Sequence, residues 1–194
     1  EELAREFAAL LNQEARELEA AGVDIIQFDE PAFNVFFDDV RDWGVEVLER
    51  AAEGLRAETV VHICYGYGIK ANTDWKASLG TEPRQAEEAC PPLRDSVIDT
   101  VSLESRGSHV PMELVELLRG KKVMLGAIDV ADPQVETPEE VADTLRRALA
   151  FVEPENLCPS TNCGMAPLSR TVAQGKMRAL AAGTALLRAE LAGG

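Results

Sequence analysis

The stretch TVVHICY, Thr59 to Tyr65, decides how this chain folds. It is a β-branched, apolar run, the composition of a strand buried on both faces. Side chains two apart in a strand point the same way, so His62 and Cys64 share one face, opposite Val61 and Ile63. A buried parallel strand that ends in an imidazole and a thiol suits a fold whose chemistry collects at strand ends.

Toward the N-terminus, Val40, Trp43, Val47, Leu48, Ala51 and Leu55 follow helical spacing, which predicts a helix over about Asp38 to Leu55. Val23 to Phe28 of VDIIQFDEP read as a buried strand that runs out into Asp29, Glu30 and Pro31. The opening EELAREFAALLNQEARELEAAG is an acidic amphipathic helix carrying Leu3, Phe7, Leu10, Leu11 and Leu18 on one side. Toward the C-terminus, Gly66 to about Asp95 is polar and irregular, with KANTDWK and a helix-breaking CPPL. TVSLE, Thr100 to Glu104, is a third strand, and Pro111 opens a short helix, MELVELLR, closed by Gly120. KKVMLGAIDV supplies the fourth strand. Thr137-Pro138-Glu139-Glu140 form a capping box for a helix that reaches about Phe151. LCPSTNCG is a fifth strand and its exit, and an alanine-rich helix begins near Leu168.

Alternating strands and helices imply parallel pairing through right-handed crossovers. No GxGxxG or GxxxxGK[ST] follows a strand, which weighs against a nucleotide-binding open sheet. Asp29, His62, Glu104, Asp129 and Cys163 each fall at or just past the C-terminal end of a different strand, and Cys64 joins His62. A barrel gathers those ends at one mouth, where its active sites form. The expected fold is therefore α/β: five-eighths of a (β/α)8 TIM-type barrel. Residues 1–194 are expected to be a single, partial catalytic domain lacking about three N-terminal βα units.

The net charge of −15 argues against a nucleic-acid backbone or an anionic membrane surface as partner. No apolar run is long enough to span a bilayer, and the N-terminal stretch lacks the basic region of a signal peptide. Four cysteines are too few for a disulfide scaffold in 194 residues, so a reducing, cytoplasmic compartment with free thiols is expected.

His62, Cys64, Glu104 and Cys163 are ligand types for zinc. A lone His-x-Cys is more often simple packing. Glu104, however, shares the Thr100 and Ser102 face of its strand and would be a carboxylate pointing into a barrel, which needs a partner. Cys163 sits beside a glycine in a polar exit loop, where a thiol gains little from packing. As a set of four the metal reading prevails; Cys90 and Cys158 read as structural. Two thiolates and a carboxylate leave a divalent ion near −1, a poor acid for water but suited to activating a thiol for alkylation. The carboxylate is the hardest ligand and the natural one to give way to an incoming sulfur.

These residues resemble the catalytic barrel of the cobalamin-independent methionine synthase family: IIQFDEPAF, His-x-Cys, LES, GAIDV, VETPEEVADTLRRAL and TNCGM match it along essentially the whole chain. The resemblance implies methyl transfer to the thiolate of L-homocysteine at a Zn2+ held by His62, Cys64, Glu104 and Cys163. It places Asp29, with Glu30 beside it in the DEPA motif, at the homocysteine amino group, and Asp129 in catalysis. Where long-form members have a histidine two residues after that aspartate, this chain has Ala131, and His109 lies elsewhere. That departure points to the shorter, core-type branch, with a folate or corrinoid methyl donor, free or protein-bound. Trp75, in the long polar segment, is expected in a lid or a donor pocket. Two alternatives stay open: a related zinc barrel alkylating a coenzyme M-type thiol, and a non-catalytic zinc-stabilised barrel.

Overall fold

The computed structural model describes residues 1–64, 85–107 and 111–193. Five strands form one parallel sheet: β1 Ile25–Asp29, β2 Glu58–His62, β3 Thr100–Glu104, β4 Lys122–Ile128 and β5 Leu157–Thr161. Their spatial order is β1-β2-β3-β4-β5. A doubly wound sheet puts its first strand in the middle and reverses direction. This one winds one way throughout, as consecutive staves of a (β/α)8 barrel do.

The helices are α1 Glu2–Ala20, α2 Ala32–Val35, α3 Phe37–Val40, α4 Gly44–Ala52, α5 Gln85–Asp95, α6 Pro138–Ala148 and α7 Arg170–Gly193. Short 3-10 helices run over Met112–Leu118 and Pro154–Asn156. The register aligns two different faces. Val61, Val101 and Val123 lie side by side, with Leu103 beside Leu125, and all five are buried in the core shared with the helices. On the other face Val60, Thr100 and Lys122 lie in one row, with Glu58 two residues before Val60 on the same side, and Asp29, His62 and Ser102 lie in the next row. That inner face is polar: Thr100 Oγ1 donates to Glu58 Oε1 at 2.8 Å, and Lys122 Nζ lies 2.7 Å from Glu58 Oε2.

The helix expected from Asp38 to Leu55 is broken. Trp43 leaves helical geometry at φ −137°, and the chain restarts at Gly44. The break lets the Phe33 ring approach Gly44, where a Cβ would come within 3.1 Å of the ring. CPPL also departs from expectation, because Pro91 and Pro92 lie inside α5. An internal proline costs about 3 kcal/mol. The same helix buries Ala89, Cys90 and Leu93 completely, and that burial offsets the loss.

The capping box at Thr137 forms as expected. Glu140 N donates to Thr137 Oγ1 at 3.2 Å, and Thr137 N donates to Glu140 Oε2 at 2.8 Å. α6 then packs on α7 at Gly183, where a Cβ would lie 2.6 Å from both Val141 Cβ and the Pro138 carbonyl. The opening helix buries Ala8 and Ala15, whereas its Leu3, Phe7, Leu10, Leu11 and Leu18 face is exposed. No helix of the described residues is long and apolar enough to cross a membrane. Trp75, His109 and most of the Gly66 to Asp95 segment lie outside the described residues.

Candidate metal centre

β2 carries His62 as its last residue, with Cys64 two positions on; Cys163 follows β5 by two residues. Donor atoms of these three all lie within 4.8 Å of one another. The two sulfurs are 3.6 Å apart and unbonded. Two thiolates at about 2.3 Å from one tetrahedral zinc would be about 3.8 Å apart, so this spacing accepts the ion without rearrangement.

His62 is 5% exposed. Its Nδ1 lies 3.0 Å from Ser102 Oγ, which fixes the ring. Among the described residues its Nε2 is buried without a hydrogen-bond partner. An orphaned ring nitrogen is costly unless something claims it, and a cation does so while the opposite nitrogen is held by a second hydrogen bond. The donor set, its spacing and the orphan nitrogen together fit zinc.

The electrostatics agree. The contact with Cys64 is the main influence on the Cys163 thiol; burial opposes it, and the net effect brings the pKa down to about 7. For His62, burial works against the charged ring, but Cys64, Glu104 and Asp29 outweigh it and the pKa is raised. Cys90 is the contrast: burial pushes its thiol up to about 12, the behaviour of a packed, inert cysteine. Cys158 is exposed on β5 and stands outside the cluster.

Glu104 ends β3, is 1% exposed and acts electrostatically on both His62 and Cys163, but it lies outside the 4.8 Å group. Asp29 pairs with His62 in the sheet and is exposed, its Oδ1 accepting from Gln27 Nε2 at 2.8 Å. Glu30 is half-buried; it accepts from Ala32 N at 2.8 Å, and burial raises its pKa. Asp129 accepts from Ala131 N at 2.8 Å and faces Gly107, where a Cβ would meet its Oδ2 at 2.3 Å.

Sequence reasoning missed the supports. Asn34, 3% exposed, donates through Nδ2 to the Cys64 carbonyl at 2.9 Å. Glu136 Oε1 accepts from Asp129 N at 2.8 Å, and Glu136 pairs at 2.9 Å with Lys176, which is wholly buried. No local pattern reveals a lysine that reaches from α7 to the β4 exit loop.

Such a (β/α)-barrel protein, with a histidine and two cysteines converging at the C-terminal rim of its strands, belongs to the class of barrels whose strand ends carry a group able to hold a metal ion. Residues 1–184 match the family described as Cobalamin-independent synthase, Catalytic domain, and the chain belongs to that family. It is 34% identical over 193 residues to a methionine synthase of Saccharolobus islandicus (strain Y.G.57.14 / Yellowstone #1), covering 98% of this chain and 52% of the relative. It is 33% identical over 210 residues to a 2-hydroxypropyl-CoM lyase of Xanthobacter autotrophicus (strain ATCC BAA-1158 / Py2), covering 96% and 55%. The solved structure of a B12-independent methionine synthase from Shewanella sp. W3-18-1, in complex with selenomethionine, superposes with a TM-score of 0.94 at 68% identity. That match covers 99% of this chain and 56% of the other. The chain thus spans about half the length of the relatives it matches.

Proposed function

We propose that this chain carries the zinc centre of a methyltransferase that converts L-homocysteine to methionine. The observation that carries the reading is the convergence of a His62 ring nitrogen with the Cys64 and Cys163 sulfurs, in a histidine whose Nε2 has no hydrogen-bond partner among the described residues. His62, Cys64 and Cys163, with Glu104 as the fourth ligand, would hold a zinc ion, which would supply a lowered pKa for an incoming thiol, so that a nucleophilic thiolate would exist at neutral pH.

The remaining roles belong to the chain itself. Glu104 would be the ligand to give way, because exchanging a hard carboxylate for a soft thiolate leaves the net charge unchanged. Asp29, exposed at the rim beside His62, takes the ammonium of the amino acid. Glu30 fixes the loop that presents Asp29 by accepting from Ala32 N. Asp129, which accepts from Ala131 N and lies against Gly107, serves the transfer step. Among the described residues β1 and β5 stand at the edges of the sheet, and this, with the half-length match to relatives, supports taking residues 1–194 as the C-terminal five-eighths of a barrel with about three further βα units. Ala131, in place of a histidine, favours the core-type branch and leaves the donor a methyl-folate or methyl-corrinoid. Four free cysteines suit a reducing cytoplasm.

Calorimetry of the zinc-loaded, full-length protein with L-homocysteine tests this reading. In buffers of different ionisation enthalpy, binding is expected to release about one proton as the thiol ionises. Binding without release, or no binding, removes homocysteine as the acceptor. The 33% identity to a 2-hydroxypropyl-CoM lyase keeps a coenzyme M-type thiol as the second reading, and the same titration with that thiol decides between them. Glu104→Gln separates both from a zinc-stabilised scaffold: a catalytic centre loses turnover and keeps metal, whereas a scaffold loses stability with its metal.

A further inference from the structure

Glu104 and Cys163 follow from β3 and β5, and β4 lies between those strands. Cys163 lies two residues beyond the end of β5, past the ladder, so a side chain that crosses β4 adds a tie that the paired strands do not supply there. Asn162 does so. It is fully buried, its Oδ1 accepts from Ser105 N at 3.3 Å, and its Nδ2 donates to the Arg106 carbonyl. Its own backbone N–H donates to the Ile128 carbonyl at 3.0 Å, on the strand it passes over. Ser105 is the residue after Glu104, and Cys163 is the residue after Asn162. The clamp therefore joins the chain one residue from each group.

β4 is shaped to let it pass. A Cβ at Gly126 would lie 2.3 Å from Asn162 Oδ1 and 2.7 Å from Asn162 Cα, the latter a backbone atom that cannot swing aside. The Gly126 carbonyl meanwhile accepts from Ser105 N at 3.2 Å and from Arg106 N at 3.1 Å. The β4–β5 register shifts between Gly126 and Ile128, where the crossing occurs. A buried amide with both ends satisfied across three strands fixes geometry far more than a packed apolar side chain would.

We propose that Asn162 is the positioning residue of the zinc centre, setting the separation of Glu104 from the Cys163 sulfur through the gap that Gly126 leaves in β4. The proposal rests on the zinc reading above and deepens it. Residues that orient metal ligands typically cost about 10- to 100-fold in affinity when removed.

The test uses the full-length protein and two readouts that do not require turnover. Zinc affinity is measured by competition with a chromophoric chelator. Cobalt(II) is then loaded to saturation, and the near-ultraviolet thiolate-to-cobalt band, which scales with the number of bound sulfurs, is recorded. Asn162→Ala is expected to weaken zinc by about 10- to 100-fold and to diminish the cobalt band. Cys158→Ser, an exposed cysteine on the same strand, changes neither. A folded Asn162→Ala protein with wild-type zinc affinity and an unaltered cobalt band overturns the proposal. Should that variant fail to fold, Asn162→Asp, which keeps the size and the acceptor for Ser105 but loses the donor for Arg106, decides by the same readouts: a smaller loss of affinity and band supports the clamp, and no loss overturns it. Failure of the underlying reading looks different, for then the unmodified protein itself holds no zinc and shows no cobalt band.

Discussion

Two cysteines of one chain can differ in acidity by several orders of magnitude when their neighbours differ, and here they do. In the metal-free protein Cys163, brought down to about 7 by the contact with Cys64, is expected to be alkylated by iodoacetamide with a midpoint near that pH. Cys90, pushed up to about 12 by burial, is expected to stay unlabelled while the fold persists. Mass spectrometry of labelled peptides across a pH series reads both; equal labelling would contradict the assignment. Glu30 gives a second residue-level expectation. Burial raises its pKa, so the fold favours the protonated form. Its contribution to stability is complete below the ordinary glutamate value of about 4.3 and is lost as pH rises through the higher folded value. Glu30→Gln, which mimics the protonated side chain and keeps an acceptor for Ala32 N, should therefore match the parent in acid and exceed it at neutral pH in urea denaturation. Much of this scale was legible without coordinates. Strand alternation alone puts His62 and Cys64 on one face and Glu104 with Ser102 on another strand's inner face. Asn162 was not legible, because its role depends on a register shift beside Gly126 that leaves no mark in TNCG itself.

At the scale of elements, local rules held where the local chain decides and failed where packing does. Thr137 and Glu140 satisfy each other's backbone groups within one turn, so the capping box could be read directly. Pro91 and Pro92 misled because the burial of Ala89, Cys90 and Leu93 beneath α5 is a long-range fact. The same holds for the break before α4, which depends on Phe33 reaching Gly44. The Lys176–Glu136 pair makes the sharpest prediction here. Lys176 Nζ has Glu136 Oε2 at 2.9 Å, Oε1 at 3.1 Å and the Gln134 carbonyl around it, and both Lys176 and Glu136 are buried. Lys176→Met strands the Glu136 carboxylate and should cost about 3–5 kcal/mol in chemical denaturation. Replacing both, by Lys176→Met with Glu136→Leu, removes the unpaired charge and should recover part of that loss. It should not recover all of it, since Asp129 N loses the oxygen it donates to. Additive losses in the double variant would contradict the pairing.

For the whole molecule, the one-way strand order β1-β2-β3-β4-β5 makes a single mouth out of residues scattered from Asp29 to Cys163. That convergence was legible from where reactive residues fall in the chain; Glu104, expected as the fourth ligand, lies outside the 4.8 Å group that the other three form. His62, Cys64 and Cys163 are expected to bind one zinc ion together. X-ray absorption at the zinc edge of the purified full-length protein reads this from the ion's own surroundings. The expected spectrum has two sulfurs at about 2.3 Å and the rest nitrogen or oxygen at about 2.0–2.2 Å, falling to one sulfur in Cys163→Ser. Folded protein that retains no zinc, or zinc with no sulfur around it, would contradict the account.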